Sequence, residues 1–104
     1  MTTFDKREEG FETQFVHAEE LKFKAKARRD HMLGLWAAKQ LGLDGAAAEN
    51  YSKELIVTDV EAHDVVEKIR GDFAAKGVAQ SEDQIRLTMA QLMTRATAEI
   101  NAGR

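Results

Sequence analysis

A run of cations between residues 22 and 29 is the part of the sequence best suited to bind a charged ligand. Its basic side chains are Lys22, Lys24, Lys26, Arg28 and Arg29. In a helix, Lys22, Lys26 and Arg29 share one face, since they are spaced i, i+4 and i+7. That face suits a phosphate-bearing ligand or an acidic partner. It equally suits a solvated helix surface that balances the charges of Glu19 and Glu20.

Arg28 projects from another side of the same predicted helix, close to the middle of its apolar stripe. A long arginine stem can lie over the edge of a core while the guanidinium remains in water. A packing role therefore explains Arg28 as well as a binding role does.

The sequence offers no comparable set of residues for catalysis or metal binding. None of the three histidines, His17, His31 and His63, lies three or four residues from another. His63 could touch a metal ion together with Glu61 and Asp64, but such a group at a helix junction is more often a solvated cap. No nucleophile stands beside a base in a glycine-framed turn, and no phosphate-binding glycine loop is present. We therefore expect no enzyme, no metal site and no required cofactor.

The first fifteen residues carry three phenylalanines among charged and amide side chains. In a helix, Phe4, Phe11 and Phe15 would lie within about 60° of one another and form a narrow apolar seam. If that helix ran unbroken into the next, the seam would be rotated by roughly 80–100° from the core stripe, so it would not face the core. Gly10 and the short length weaken an isolated helix here. We expect residues 1–17 to recognise a partner; the alternative is an amphipathic flap packed back on the protein.

The elements that must position these residues are four predicted helices. The first spans about 18–41, with a core stripe formed by Leu21, Ala25, Met32, Leu35 and Trp36. The second spans about 45–61, the third begins at Asp64 and ends at Gly77, and the fourth begins at Ser81. Capping signals separate them: Gly42 and Asp44, then Asp64 with Glu67, and finally Ser81 with Gln84.

Length and composition place these helices in one domain. The chain has 104 residues, neither cysteine nor proline, 32% charged residues and a net charge of −3. A chain of this size builds a single core, and the negative charge counts against a dedicated nucleic-acid binder. No apolar run is long enough to span a membrane. We predict an all-α, compact four-helix bundle over residues 18–104, preceded by residues 1–17, which form either a mobile segment or an extended helix that projects beyond the bundle.

Several segments, taken in order, carry a family resemblance. They are residues 1–8 (MTTFDKRE), 15–23 (FVHAEELKF), 27–29 (ARR), 33–38 (LGLWAA), 64–69 (DVVEKI) and 85–86 (IR). Together they resemble the ATPase inhibitor subunit zeta family of alpha-proteobacteria. The resemblance spans essentially the whole chain and is most specific in residues 1–42.

The resemblance implies a four-helix bundle whose mobile amino-terminal segment enters the catalytic head of the F-type ATP synthase. There the segment would lodge against the rotor shaft and block rotation in the direction of ATP hydrolysis. The implied partner-binding positions are Phe4, Asp5, Arg7, Glu8, Phe15, His17, Glu19 and Leu21. Phe11 joins this set on the seam argument alone.

The family resemblance also implies binding of ADP or ATP, which would give Lys22, Lys26, Arg28 and Arg29 a ligand. It implies a protein of the cytoplasmic side, attached to the inner-membrane ATP synthase without inserting into the membrane. Two alternatives stay open: a regulatory helical bundle that binds ADP or ATP, and a general adaptor with another protein partner.

Overall fold

The computed structural model describes the backbone of residues 3–103 and the side chains of residues 18–103. Its four helices are α1 (Thr3–Gln40), α2 (Gly45–Val60), α3 (Val65–Lys76) and α4 (Glu82–Asn101). No strand occurs within residues 3–103. The predicted all-α, four-helix architecture is confirmed. None of the described helices is long and apolar enough to cross a membrane.

The predicted helix ends are largely confirmed by the backbone. After α1, Leu43 N–H donates to the Ala38 carbonyl at 2.8 Å, and Gly42 adopts a left-handed φ of 79°. Gly77 ends α3 in the same way, with a φ of 70°. This pattern satisfies carbonyls that the last helical turn leaves free, and glycine adopts it without steric cost.

Two of the predicted amino-terminal caps form side-chain hydrogen bonds, and one does not. The Asp64 carboxylate accepts from Val66 N–H at 2.9 Å, and the Ser81 hydroxyl accepts from Gln84 N–H at 3.1 Å. Asp44 occupies the cap position of α2, but its side chain accepts no hydrogen bond there. Its φ of −143° is that of extended backbone. The position was predicted correctly and the interaction was not.

The predicted start of α1 near Ala18 is too late, because the helix begins at Thr3 and Gly10 does not interrupt it. This backbone corresponds to the extended-helix alternative for residues 1–17. One glycine costs a helix about 1 kcal/mol, which strong neighbouring helix formers can offset. With 38 residues, α1 is far longer than α2, which has 16, and α4, which has 20. The predicted mobility of residues 1–17 and the predicted boundary between residues 1–17 and 18–104 stay predictions, and the side chains of residues 1–17 lie outside the described residues.

From Leu21 onward, α1 packs against α2 and α4, while α3 packs against α4 and α2. The core lies where the four helices meet and is centred on Leu33, Leu55, Ile69, Phe73 and Ile85, which are all buried. The Trp36 and Phe73 rings meet edge to face with their centroids 5.8 Å apart. That arrangement is a favoured one for aromatic pairs, and it joins α1 to α3.

The predicted core stripe of α1 is only partly correct. Ala25 is buried, but the other four members are half-buried, whereas Leu33, Ala37 and Ala38 are fully enclosed. The cause is that α1 packs against two helices, so its buried surface is wider than one stripe. Val60, the last residue of α2, is an apolar side chain that is 65% exposed.

The helices α1 and α2 approach each other most closely at Gly34. A Cβ atom at this position would lie 2.6 Å from Ser52 Cα and 2.8 Å from Ser52 Oγ. The Ser52 hydroxyl is fully buried and donates to the His31 carbonyl at 2.8 Å. The absence of a side chain at Gly34 is therefore a condition for this contact.

Gly34→Ala should destabilise the protein by about 1–3 kcal/mol, because the added methyl group meets the backbone of α2. Gly71→Ala is the matched control, since Gly71 is also helical and a Cβ there meets nothing within 4 Å. It should stabilise the protein by up to about 1 kcal/mol through helix propensity. Urea unfolding measures the free energy of unfolding of both variants. A change of the same sign in the two variants would contradict the close contact at Gly34.

Candidate functional site

The predicted partner-binding residues fall into two groups, because the structure describes side chains only from residue 18 onward. Seven of them lie in the part of the chain whose side chains are outside the described residues: Phe4, Asp5, Arg7, Glu8, Phe11, Phe15 and His17. Their backbone, from Phe4 on, belongs to α1, which continues without a break into the bundle. The spacing that defines the phenylalanine seam therefore applies to a helix, while the contacts of its side chains stay predictions.

The other two predicted partner-binding residues have described side chains. Glu19 is exposed and pairs with Lys22 at 3.6 Å, one helical turn away. Leu21 is half-buried and lines a small cavity with Met93 and Ile100 of α4. Glu19 is thus open to a partner, whereas Leu21 already packs against the bundle.

The four predicted nucleotide-binding cations do not form one cluster. Lys22 pairs with Glu19, and Arg28 reaches Glu99 of α4 at 3.6 Å. Lys26 and Arg29 instead converge on Asp59 of α2, at 3.2 and 3.1 Å. The structure therefore brings Lys26 and Arg29 together and directs Lys22 and Arg28 to other acidic groups.

The group between α1 and α2 includes a buried carboxylate that the sequence reasoning missed. The Asp30 side chain is 1% exposed, and its Oδ1 accepts from Arg29 Nε at 3.0 Å and Nη2 at 2.8 Å. The same Nη2 also donates to Asp59 Oδ2 at 3.1 Å. One guanidinium group therefore contacts both carboxylates. We call Lys26, Arg29, Asp30 and Asp59 the carboxylate clasp.

The two carboxylates of the clasp have opposite proton affinities. Burial raises the pKa of Asp30 to about 7; the hydrogen bond with Asp59 adds to this rise, and Arg29 opposes it. Burial also acts to raise the pKa of Asp59, but the hydrogen bond with Asp30 and the charges of Lys26 and Arg29 prevail and lower it. Near neutral pH, a proton shared by the pair thus resides on Asp30, and Asp59 carries the charge.

An apolar surface lies beside the clasp, at the end of α2. Phe23 is 63% exposed and Val60 is 65% exposed. Together with Ile56 and Ala27 they line a cavity of about 230 Å³, whose polar wall is formed by Lys26, Asp30 and Asp59. Phe23 follows the predicted segment by only six positions on the same helix. We call Phe23, Ile56 and Val60 the neck surface.

A signal for the buried carboxylate was present in the sequence. Asp30 lies on the same side of α1 as Gly34 and Ala37, at i, i+4 and i+7, so a second apolar face could have been recognised there. A carboxylate on such a face needs a partner on the neighbouring helix. We predicted only one apolar stripe for this helix, so the second buried face was missed.

Among residues 18–103, no three ligand-type side chains gather closely enough to hold a metal ion. The junction residue His63 lies 3.9 Å from Glu61, and both side chains are exposed. This pair has the character of a solvated helix end.

Comparison with known proteins supplies an independent line of evidence. A protein structure solved in solution by NMR is similar to this chain, with 34% identity and a TM-score of 0.69. The alignment covers 81% of this chain and 99% of that one. No curated protein matches the chain. The family model described as ATPase inhibitor subunit zeta matches residues 1–99. The chain therefore belongs to the ATPase inhibitor subunit zeta family.

Proposed function

We propose that this protein is a regulatory subunit that inhibits ATP hydrolysis by the F-type ATP synthase, and not an enzyme. The observation that carries the proposal is the family match, which includes the amino-terminal segment as well as the bundle. In the proposed mechanism, residues 1–17 insert into the catalytic head at its interface with the rotor shaft. The protein would then be peripheral, held on the cytoplasmic side by the ATP synthase.

The phenylalanine seam supplies the contact energy in this mechanism. Each aromatic ring of Phe4, Phe11 and Phe15 can bury on the order of 150–250 Å² in a partner. The charged residues around them, Asp5, Arg7 and Glu8, set the register of the helix within the partner. The unbroken backbone of α1 supports this mechanism, because the seam requires residues 4–15 to lie on a helix.

The bundle acts as a stop in the same mechanism. The molecule measures 65 × 24 × 22 Å along its principal axes. A single helix with side chains is only about 10–12 Å wide. A passage that admits the first part of α1 would therefore exclude the bundle, and the protein would bind to a fixed depth. The neck surface would then meet the rim of that passage, since Phe23 is the first exposed aromatic residue after the segment among the described side chains.

Phe15→Ala should weaken inhibition of ATP hydrolysis by the cognate ATP synthase by about tenfold or more, because a buried aromatic anchor typically contributes about 1.4 kcal/mol or more. Val16→Ala is the matched control; its neighbouring position lies off the seam, so its effect should be less than about threefold. The inhibition constant of each full-length variant is the measurement.

Equal inhibition constants for the two variants would remove the helical-face argument. If neither variant nor the wild type inhibits hydrolysis, and no ATP synthase subunit copurifies with the protein, a general adaptor with another partner replaces this proposal. Weaker inhibition by Phe15→Ala, with inhibition by Val16→Ala nearly unchanged, supports the seam.

A second proposal is that ADP or ATP binds at the cations of α1. The cavity beside the neck surface favours it, since Phe23 could contact a base while the half-exposed Lys26 could contact a phosphate. Arg28 and Arg29 would have to exchange a carboxylate partner for the nucleotide. Lys22 is exposed and needs no rearrangement.

Titration with ADP should produce saturable changes in backbone amide shifts between residues 22 and 30. Lys26→Ala should weaken this binding severalfold, because a phosphate loses its charged hydrogen-bond donor. Lys53→Ala, an exposed change on α2, is the control. Amide shifts that do not saturate, or an ADP affinity that is unchanged in Lys26→Ala, would contradict a nucleotide site here.

A further inference from the structure

Asp30 is an unusual residue for the inner surface of a small bundle. It is 1% exposed, and it lies where α1 passes the last turns of α2 on its way from the amino-terminal segment into the bundle. A buried carboxylate costs free energy unless it is paired or protonated. The state of this carboxyl group therefore bears directly on how firmly α1 is held at this point.

The charged groups around Asp30 come from two helices. Arg29, on α1 itself, donates to it at 2.8 and 3.0 Å, and Asp59 faces it from α2. Lys26 reaches the group through Asp59 at 3.2 Å, with its own side chain 53% exposed. The other helix packed against α1 is α4, whose Glu99 is directed to Arg28 instead. The described neighbours of Asp30 thus include one close cation and one competing anion.

We propose that the carboxylate clasp is a proton-operated contact between α1 and α2 that fixes how the amino-terminal segment leaves the bundle. With a proton on Asp30, its hydroxyl donates to Asp59, whose carboxylate is the one remaining negative charge and is contacted by both Arg29 and Lys26. Without the proton, two carboxylates face each other in a buried position. Their repulsion, together with the cost of burying a second charge, loosens α1 from α2.

The direction of the pH effect follows from the raised pKa. The folded protein holds the Asp30 proton up to about pH 7, whereas the unfolded chain releases it near the ordinary value of 3.8. Between these values the folded state binds more protons, so its stability falls as the pH rises through that window. The clasp is therefore stronger under mildly acidic conditions and weaker under mildly alkaline ones.

The functional consequence rests on the proposed inhibition of ATP hydrolysis. A closed clasp holds α1 rigidly against α2, so the segment is presented in one direction and loses less conformational freedom on binding. Inhibition should therefore strengthen as the pH falls through 7. The cell would obtain a stronger block under acidic conditions without a separate sensor domain.

The decisive test follows α1 by amide hydrogen exchange, which requires no ATP synthase. From pH 6 to pH 8, protection factors of amides in residues 24–32 of the full-length wild type should fall about tenfold or more, after correction for intrinsic exchange. Asp30→Asn mimics the protonated carboxyl group and should reduce this fall to less than about threefold. Asp72→Asn is the control, because it alters a carboxylate that accepts a hydrogen bond from Tyr51 at the α2–α3 contact. In this variant the protection factors of residues 24–32 should fall as much as in the wild type.

The outcome does not depend on the folding of a variant, because the Asp30 side-chain carboxyl carbon can be titrated in the wild type by NMR. A midpoint within about one unit of pH 7 supports the clasp, whereas a midpoint below pH 5, or equal protection profiles for wild type and Asp30→Asn, overturns it.

In an inhibition assay, the ratio of wild-type to Asp30→Asn inhibition constants should rise at least about threefold from pH 6 to pH 8. An inactive wild type with an intact exchange response would refute the proposed function and preserve the clasp.

Discussion

The contact between α1 and α2 at Gly34 and Ser52 is the constraint on which the rest of the structure depends. With no side chain at Gly34, the Ser52 hydroxyl can reach the His31 carbonyl while the two helices remain in close contact. This contact sets the position of α2 along α1. It thereby places Asp59 beside Asp30, which precedes Gly34 by a little over one helical turn. It also determines how much of α1 lies beside its neighbours. The clasp and the neck surface both lie along this contact between α1 and α2.

One helix thus performs two tasks. Its later residues form a wall of the bundle, with Leu33, Ala37 and Ala38 enclosed. Its earlier residues, for which we predict the phenylalanine seam, continue the same unbroken backbone to Thr3. In the regulation proposed above, a change in the contact of α1 with α2 would alter how the segment is presented. The carboxylate clasp lies between the two parts, which makes it the natural place for regulation.

The sequence predicted the architecture well wherever a local signal determined it. Gly42, Gly77, Asp64 and Ser81 end or begin helices through their own backbone preference or hydrogen bonds, so reading them in order yields four helices. The family was also recognisable from ordered segments. The start of α1 was predicted only as one of two alternatives, because a glycine in a charged segment lowers helix propensity without excluding a helix. Asp30 was missed for another reason: its role depends on Asp59, twenty-nine positions away, and only packing brings the two together.

The central claim is that residues 1–17 of this subunit enter the catalytic head of the ATP synthase. Its most direct test places a photo-crosslinking residue at position 11 of the full-length protein, with position 53 on the exposed face of α2 as the control. During ATP hydrolysis, position 11 should crosslink to catalytic subunits and to the rotor shaft, while position 53 should crosslink to neither. Absence of these products from position 11, or equal yields from both positions, would contradict the account.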